Sequence, residues 1–224
     1  RAVYASDASN YRQVPVGVVL PRSVDDVVAA MALCREHDAA ILPRGAGTSM
    51  CGQSVNAAVV IDCSKYLDRV LAVDPVSRTA RVEPGAVCDA LREAAEAHGL
   101  TFAPDPATHS RCTLGGMIGN NSCGPHSVMA GKTVENIERL EVLTYDGARF
   151  WCGPTDAVDM QRILSQGDRQ SEIYSALQRI VAGVADAFRD ADAQALAHRV
   201  ERARERFASE CGHARSFRPF MPDE

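Results

Sequence analysis

The chain has 224 residues, 46% of them hydrophobic, and a formal net charge of -5. That apolar share is enough to fill one large domain or two small ones. The acidic balance excludes an extended basic face for nucleic acid or an anionic membrane surface, so any anion site must be local. No apolar run reaches the roughly 18 residues of a membrane span, and no charged-then-apolar leader precedes the first strand. The visible piece therefore reads as soluble and cytoplasmic, and its start at Arg1 reads as an excised or processed piece.

Residues 1 to 15 are polar, with Tyr4 and Tyr11, and lack periodicity. Val16 to Leu20, closed by Pro21, predicts a strand. Ser23-Val-Asp-Asp26 then matches the helix-capping box, and Val27, Val28, Met31, Ala32 and Leu33 carry helical spacing up to His37. Ala39 to Leu42 predicts the next strand, giving a strand-helix-strand unit.

Beyond it stands Pro43-Arg-Gly-Ala-Gly-Thr-Ser49, with Gln53. Gly45 and Gly47 permit backbone angles that let consecutive N–H groups converge on an anion, Ala46 adds little bulk, and Arg44, Thr48, Ser49 and Gln53 add side-chain donors. Alone, the same pattern also reads as a tight turn. A Rossmann fingerprint needs the glycines to open a helix and a third glycine for close packing. Met50 occupies that third place, and Ala57 to Ile61 reads as a strand, so the NAD-type reading fails.

Val70 to Val73 and Thr79 to Val82 predict strands joined through Asp74-Pro75, and Ala86 to His98 predicts a helix ended by Gly99. Pro104 to Pro125 is a second glycine-rich stretch with a short helical turn at Leu114 to Asn120. A loop of this length inside a compact domain is usually functional or disordered, and the anchors Leu114, Met117 and Ile118 oppose disorder. Ile137, Leu140, Val142 and Leu143 predict a mostly buried strand, Asp146-Gly147 a hairpin turn, and Ala148 to Trp151 the return. From Asp159 to about Phe207 the spacing is helical, while Arg215 to Glu224 shows no packing pattern. This alternation predicts an α+β (mixed α/β) fold of two small layers.

The eight cysteines are scattered without a C-x-x-C pair, which reads as free thiols and speaks against a metal site or an iron-sulfur cluster within these residues. His109 reads either as a catalytic base or as an ordinary loop residue, and Cys112 as a small polarisable loop residue. Lys132 reads as a phosphate partner or a surface residue, and Trp151 as packing.

Taken together, Pro43 to Ser49 with Gln53, Thr113-Leu-Gly-Gly-Met-Ile-Gly-Asn-Asn121, and Leu140-Glu-Val-Leu143 before Asp146-Gly147 resemble the FAD-binding (PCMH-type) domain of the vanillyl-alcohol oxidase family. The likeness covers roughly residues 10 to 152 and is closest to the D-2-hydroxyacid dehydrogenases. Asn120-Asn-Ser-Cys-Gly124 and Gly131 to Asn136 resemble the branch fused to an iron-sulfur domain.

The resemblance implies a two-subdomain FAD-binding fold over residues 10–155, with subdomains at about 10–68 and 69–155, and a helical extension over 156–224. It implies that Arg44, Gly45, Ala46, Gly47, Thr48 and Ser49, with Gln53, wrap the pyrophosphate. Pro104, Asp105, Thr113, Leu114, Gly115 and Gly116 would line the flavin and diphosphate. Asn120, Asn121, Ser122 and Gly124 would hold the ribityl chain and the ring's polar edge, and Ile137 would meet the adenine through its main chain. Thr48 and Ser49 stand where many members carry a flavin-linking His, which implies non-covalent FAD.

By the same resemblance the whole enzyme would oxidise a D-2-hydroxy acid, passing electrons to an iron-sulfur domain or another acceptor, from the cytoplasm or the inner face of the membrane. Its catalytic residues would lie in a substrate domain not found here, leaving this piece with little turnover. The alternatives are a flavin reductase of the UDP-N-acetylenolpyruvoylglucosamine type and a non-catalytic nucleotide-binding module.

Overall fold

The structure, a computed structural model, describes residues 2–190, with side chains to residue 183. It divides into two units, Arg1–Asp156 and Ala157–Glu224.

The first unit begins with a 3-10 turn, Ala2–Ala5, followed by a three-stranded parallel sheet. β1 (Gly17–Val19) and β2 (Ile41–Arg44) flank β3 (Val59–Asp62), with Val18 and Leu42 both opposite Val60. The run Val59-Val-Ile61 takes the central place because it is apolar throughout. Val60 is fully buried and Ile61 2% exposed. Helix α1 (Val24–Glu36) makes the crossover, and the expected capping box is present: Asp26 N–H donates to Ser23 Oγ while the Asp26 carboxylate accepts from Ser23 N–H.

β2 runs two residues past its expected end, through Pro43 and Arg44. An edge strand can absorb a proline, whose missing N–H costs no ladder bond on the open side.

A second layer follows. β4 (Val70–Asp74) and β5 (Thr79–Val82) form an antiparallel pair with a bulge near Val70, and the Asp74 carboxylate accepts from Val76 N–H and Ser77 Oγ to close the turn. Helix α2 (Cys88–Glu96) and helix α3 (Leu114–Asn120) pack there around Ala86, Cys88, Leu91, Cys112, Leu114 and Met117, with Val70, Val82 and Phe102 against them.

α2 starts two residues later than its spacing suggests. Val87 is extended and bridges Thr113, with Leu114 N–H donating to Ala86 C=O at 2.8 Å and Cys88 N–H to Cys112 C=O at 3.0 Å. A long-range pairing thus claims backbone groups that a local pattern assigns to the helix.

The short helix α4 (Ser127–Ala130) and a 3-10 turn at Thr133–Asn136 lead into the antiparallel pair β6 (Leu140–Leu143) and β7 (Arg149–Cys152). The expected buried strand is here corrected to a half-exposed ribbon that excludes Ile137. Trp151 on β7 remains 40% exposed, with the Arg81 and Arg139 guanidinium carbons 5.6 and 5.7 Å from its ring centroid.

Glu83, just past β5, grips Arg69 through Nη2 at 2.8 Å and Nε at 3.1 Å and also accepts the Arg69 N–H. The Arg69 hydrogen bond holds the Glu83 carboxyl below its usual range. A carboxyl lowered in the folded state stabilises above its unfolded pKa of about 4.3, and that contribution is lost as pH falls through the lower folded value. Thermal melts across the acid limb should therefore show Glu83→Gln flattening the loss of stability below about pH 4.5 relative to the unchanged chain.

In the second unit the expected helix is two helices, α5 (Ala157–Ser165) and α6 (Arg169–Asp190). Gly167 at φ 65° breaks the chain between them, and Asp168 caps α6 by accepting from Ser171 N–H at 2.9 Å. The rest of the expected helix and the patternless end lie outside the described residues. Among the described residues, no helix is long and apolar enough to cross a membrane, and no group of three His, Cys, Asp or Glu is placed to hold a metal ion. The seven described cysteines are free thiols.

Candidate functional site

The two glycine-rich stretches face each other across a cavity of about 520 Å³. One wall is the exit from β2, Pro43 to Met50 with Gln53 and Ser54. The other is the start and inner face of α3, where Thr113, Gly115, Gly116, Met117, Gly119 and Asn120 line it, with Ser122 just beyond. Cys63, Pro84, Thr108 and Cys112 complete the lining.

Contact between the walls depends on Gly45. A Cβ there would stand 2.0 Å from Thr113 Oγ1. Thr113 is 2% exposed, and its hydroxyl accepts from Gly116 N–H at 3.4 Å as the cap of α3, so it has no room to yield. At the outer edge Gln53 Nε2 donates to Asn120 Oδ1 at 2.8 Å, and Asn120 Nδ2 to Ser49 Oγ at 3.3 Å, tying the stretches a second time.

The guanidinium of Arg44 is taken up by backbone carbonyls. It donates to Ser54 C=O at 2.8 Å and Ser6 C=O at 2.9 Å and sits 5.4 Å from the centre of the Tyr4 ring. It fastens the N-terminal segment to the loop. Gly47, at φ 70°, lies so close that a Cβ would meet Arg44 Nη2 at 2.6 Å. The N-terminal segment is held again by Tyr4 Oη donating to Asp62 at 2.7 Å, and burial pushes the Tyr4 hydroxyl up to about 12.

Of the residues expected at the cofactor, Arg44 to Ser49, Gln53, Thr113, Gly115, Gly116, Asn120 and Ser122 line this cavity. Leu114 turns into the core and is 4% exposed. Asn121 caps α3 in the left-handed region, and its Oδ1 accepts from Val134 N–H. Pro104, Asp105 and Gly124 are brought together outside the lining: Asp105 accepts from His126 N–H at 3.0 Å, and a Cβ on Gly124 would stand 2.0 Å from Asp105 C=O. Hydrogen bonding to His126 holds the Asp105 carboxyl below its usual range. Ile137 lines a second cavity of about 300 Å³, with Ile118, Val134 and Leu140. Helix α3 therefore contributes to both cavities, through Met117 and Asn120 to one and Ile118 to the other.

The lining residues Cys63, Pro84 and Thr108 were not among the expected contacts. They follow β3 or β5 or precede the α3 cap, and only the packing of the two layers assembles them. Burial, then the neighbouring Asp62, pushes the Cys63 thiol up to about 11. His109 is tied to the Asp89 carboxylate through Nδ1 at 2.7 Å, which accounts for it as a strut between its loop and α2.

A protein family described as FAD binding domain matches residues 15–153. The chain belongs to this family. FAD is accordingly its cofactor, and the cavity suits a dinucleotide: its walls are packed at glycines, with a Cβ on Gly45 striking Thr113 and one on Gly115 striking Pro84, and the donors offered are backbone N–H groups, hydroxyls and amides.

The chain is 33% identical over 183 residues to D-2-hydroxyglutarate dehydrogenase of Pseudomonas putida, covering 80% of this chain and 18% of that one. It is 36% identical over 153 residues to glycolate oxidase subunit GlcD of Escherichia coli strain K12, covering 67% and 30%. It thus spans less than a third of the length of either relative. Among solved structures, alkyldihydroxyacetonephosphate synthase superposes with a TM-score of 0.55 at 25% identity, over 65% of this chain and 30% of that one, and shows the shared PCMH-type fold.

Proposed function

We propose that this chain is the FAD-holding part of a longer flavoprotein oxidoreductase that converts a D-2-hydroxy acid to its 2-oxo acid. The observation that carries the reading is the cavity closed by Gly45 against Thr113, in a chain whose relatives are named for 2-hydroxy acids. Backbone N–H groups from Gly45 to Ser49, with the Thr48 and Ser49 hydroxyls and the Gln53 amide, would hold the pyrophosphate. Gly115, Gly116 and Ser122 would border the flavin from the second wall. The apolar cavity beside Ile137 would take the adenine, placing the dinucleotide along α3.

With no His at positions 48 or 49, the cofactor is held by contacts alone. When bound, FAD supplies the acceptor for the substrate's hydride. The protein described here orients that acceptor and excludes water from its pyrophosphate. The base and the carboxylate-binding group would come from a substrate domain, and the electrons would leave to an iron-sulfur domain or another carrier, in the cytoplasm.

Titrating the purified chain with FAD tests the reading. Bound flavin absorbance in the visible region with quenched fluorescence supports it, and no binding returns the chain to a non-catalytic module. Loaded with FAD, the chain alone should show negligible oxidation of D-lactate or D-2-hydroxyglutarate. Turnover at rates typical of an enzyme would place the missing groups inside this chain. Asn120→Ala, which cuts the link to Gln53 and Ser49, should weaken FAD retention about fivefold, read as dissociation rate, with little change in thermal midpoint.

A further inference from the structure

Two of the cysteines lie side by side at the back of the FAD cavity. Cys88 opens α2 and is fully buried, and Cys112 precedes the cap of α3 and is 6% exposed. The bridge between Val87 and Thr113 is antiparallel, which sets Cys88 opposite Cys112, and Cys88 N–H donates to Cys112 C=O at 3.0 Å. Directly opposed residues of an antiparallel pair have Cα atoms about 4.5 to 5.5 Å apart, inside the span that a disulfide bridges. Both side chains belong to one core cluster, so they lie on the same face of the bridge.

We propose that Cys88 and Cys112 form a redox-active dithiol, closed to a disulfide by exchange with a low-molecular-weight disulfide that enters through the FAD cavity. The two positions differ in the way that such exchange requires. Cys112 lines the cavity, whereas Cys88 stands behind it with its Sγ directed to Pro104 C=O at 3.6 Å. The Cys88 S–H, the Thr108 hydroxyl and His109 favour the thiolate at Cys112, lowering its pKa, while Cys112 and burial disfavour it at Cys88. The charged or titratable neighbours are Asp89 and Arg92 at Cys88 and His109 at Cys112. At Cys63, the other thiol in the lining, burial and the neighbouring Asp62 disfavour the thiolate.

In the first step the Cys112 thiolate attacks one sulfur of the small disulfide. A protein–small-molecule S–S bond forms as the original S–S bond breaks, and one small thiolate leaves and takes a proton. Cys88 then loses its proton and attacks Cys112 Sγ, forming the internal disulfide and expelling the second small thiol. The protein dithiol is oxidised by two electrons and the small disulfide is reduced to two thiols.

The test exposes the fully reduced, FAD-free chain to oxidised glutathione and maps its tryptic peptides by mass spectrometry. A cross-linked pair joining Cys88 to Cys112, lighter by two hydrogens and reversed by dithiothreitol, is expected. Fragment ions distinguish Cys112 from Cys123 on the same peptide. Cys88→Ser should stop at glutathione on Cys112, and the unchanged chain decides the matter if that variant does not fold. The proposal is overturned if Cys88 and Cys112 stay unlinked while the exposed Cys51 and Cys123 react.

The entry route rests on FAD occupying this cavity, so saturating FAD should slow closure by about tenfold or more. Occupancy is read separately by flavin fluorescence. Bound FAD without protection overturns entry through the cavity, whereas failure to bind FAD overturns the cofactor site and leaves the dithiol to be judged on the FAD-free map.

Discussion

Gly45→Ala should lower FAD affinity by about a hundredfold, measured by fluorescence titration, because the new methyl carbon occupies the contact between the two walls of the cavity. It would stand 2.0 Å from Thr113 Oγ1 and 3.1 Å from Thr113 Cβ. Neither partner is a flexible chain end: Thr113 is buried and its hydroxyl caps α3. The walls must therefore separate, and the N–H groups following Gly45 lose their convergence.

A second substitution identifies the cause. Thr113→Ala removes Oγ1 at 2.0 Å and Cγ2 at 3.1 Å and leaves only Cβ at 3.1 Å, so the double variant Gly45→Ala, Thr113→Ala should bind FAD better than Gly45→Ala alone, despite losing the cap. If it binds no better, the wall contact is not what holds the cavity. Replacing Gly45 and Gly47 together with Val should abolish FAD retention, since Gly47 adds both a positive φ and the nearby Arg44 guanidinium, while the far-ultraviolet helical signal stays largely intact.

Gly85→Ala should lower stability by about 3 kcal/mol or more. Its Cβ would lie 2.1 Å from Cys63 C=O and 2.6 Å from Leu67 C=O, and Gly85 N–H already donates to Leu67 C=O at 2.7 Å. These are backbone atoms, which cannot rotate away. The contact joins the segment leaving β3 to the segment leaving β5, so relief requires moving the layers apart. For a unit of this size the thermal midpoint should fall by about 10 °C. Gly99→Ala is the control: its φ is 69°, but nothing lies within 4 Å of its Cβ, so it bears only the backbone cost of about 1 kcal/mol. Equal losses at the two positions would show that the close approach at Gly85 carries no weight.

Local patterns in the chain have local causes, and these were legible. The capping box at Ser23 and Asp26, the turn at Asp74, and the short helix from Leu114 all depend on residues within a few positions of one another, and each stands as read. Where reading failed, a distant partner intervened. α2 loses its first expected residues to Thr113 and Leu114, more than twenty positions away, and β2 gains Pro43 and Arg44 through pairing with β3. Gly167 shows a different limit, since an isolated glycine within helical spacing does not announce whether it will be tolerated or will break the helix.

The sequence by itself determined the donor chemistry of the site: two glycine-rich stretches, hydroxyls and amides, few cations, and no His at positions 48 and 49. Those are properties of composition and short-range order. Only the tertiary structure decided which residues line the cavity. It turned the Arg44 guanidinium back onto the carbonyls of Ser6 and Ser54, buried Leu114, gave Asn121 to a cap, and brought Cys63, Pro84 and Cys112 into the lining. The physical reason is that a side chain's direction follows from the partners available once the layers pack, and those partners are chosen by long-range backbone pairing that no single stretch encodes.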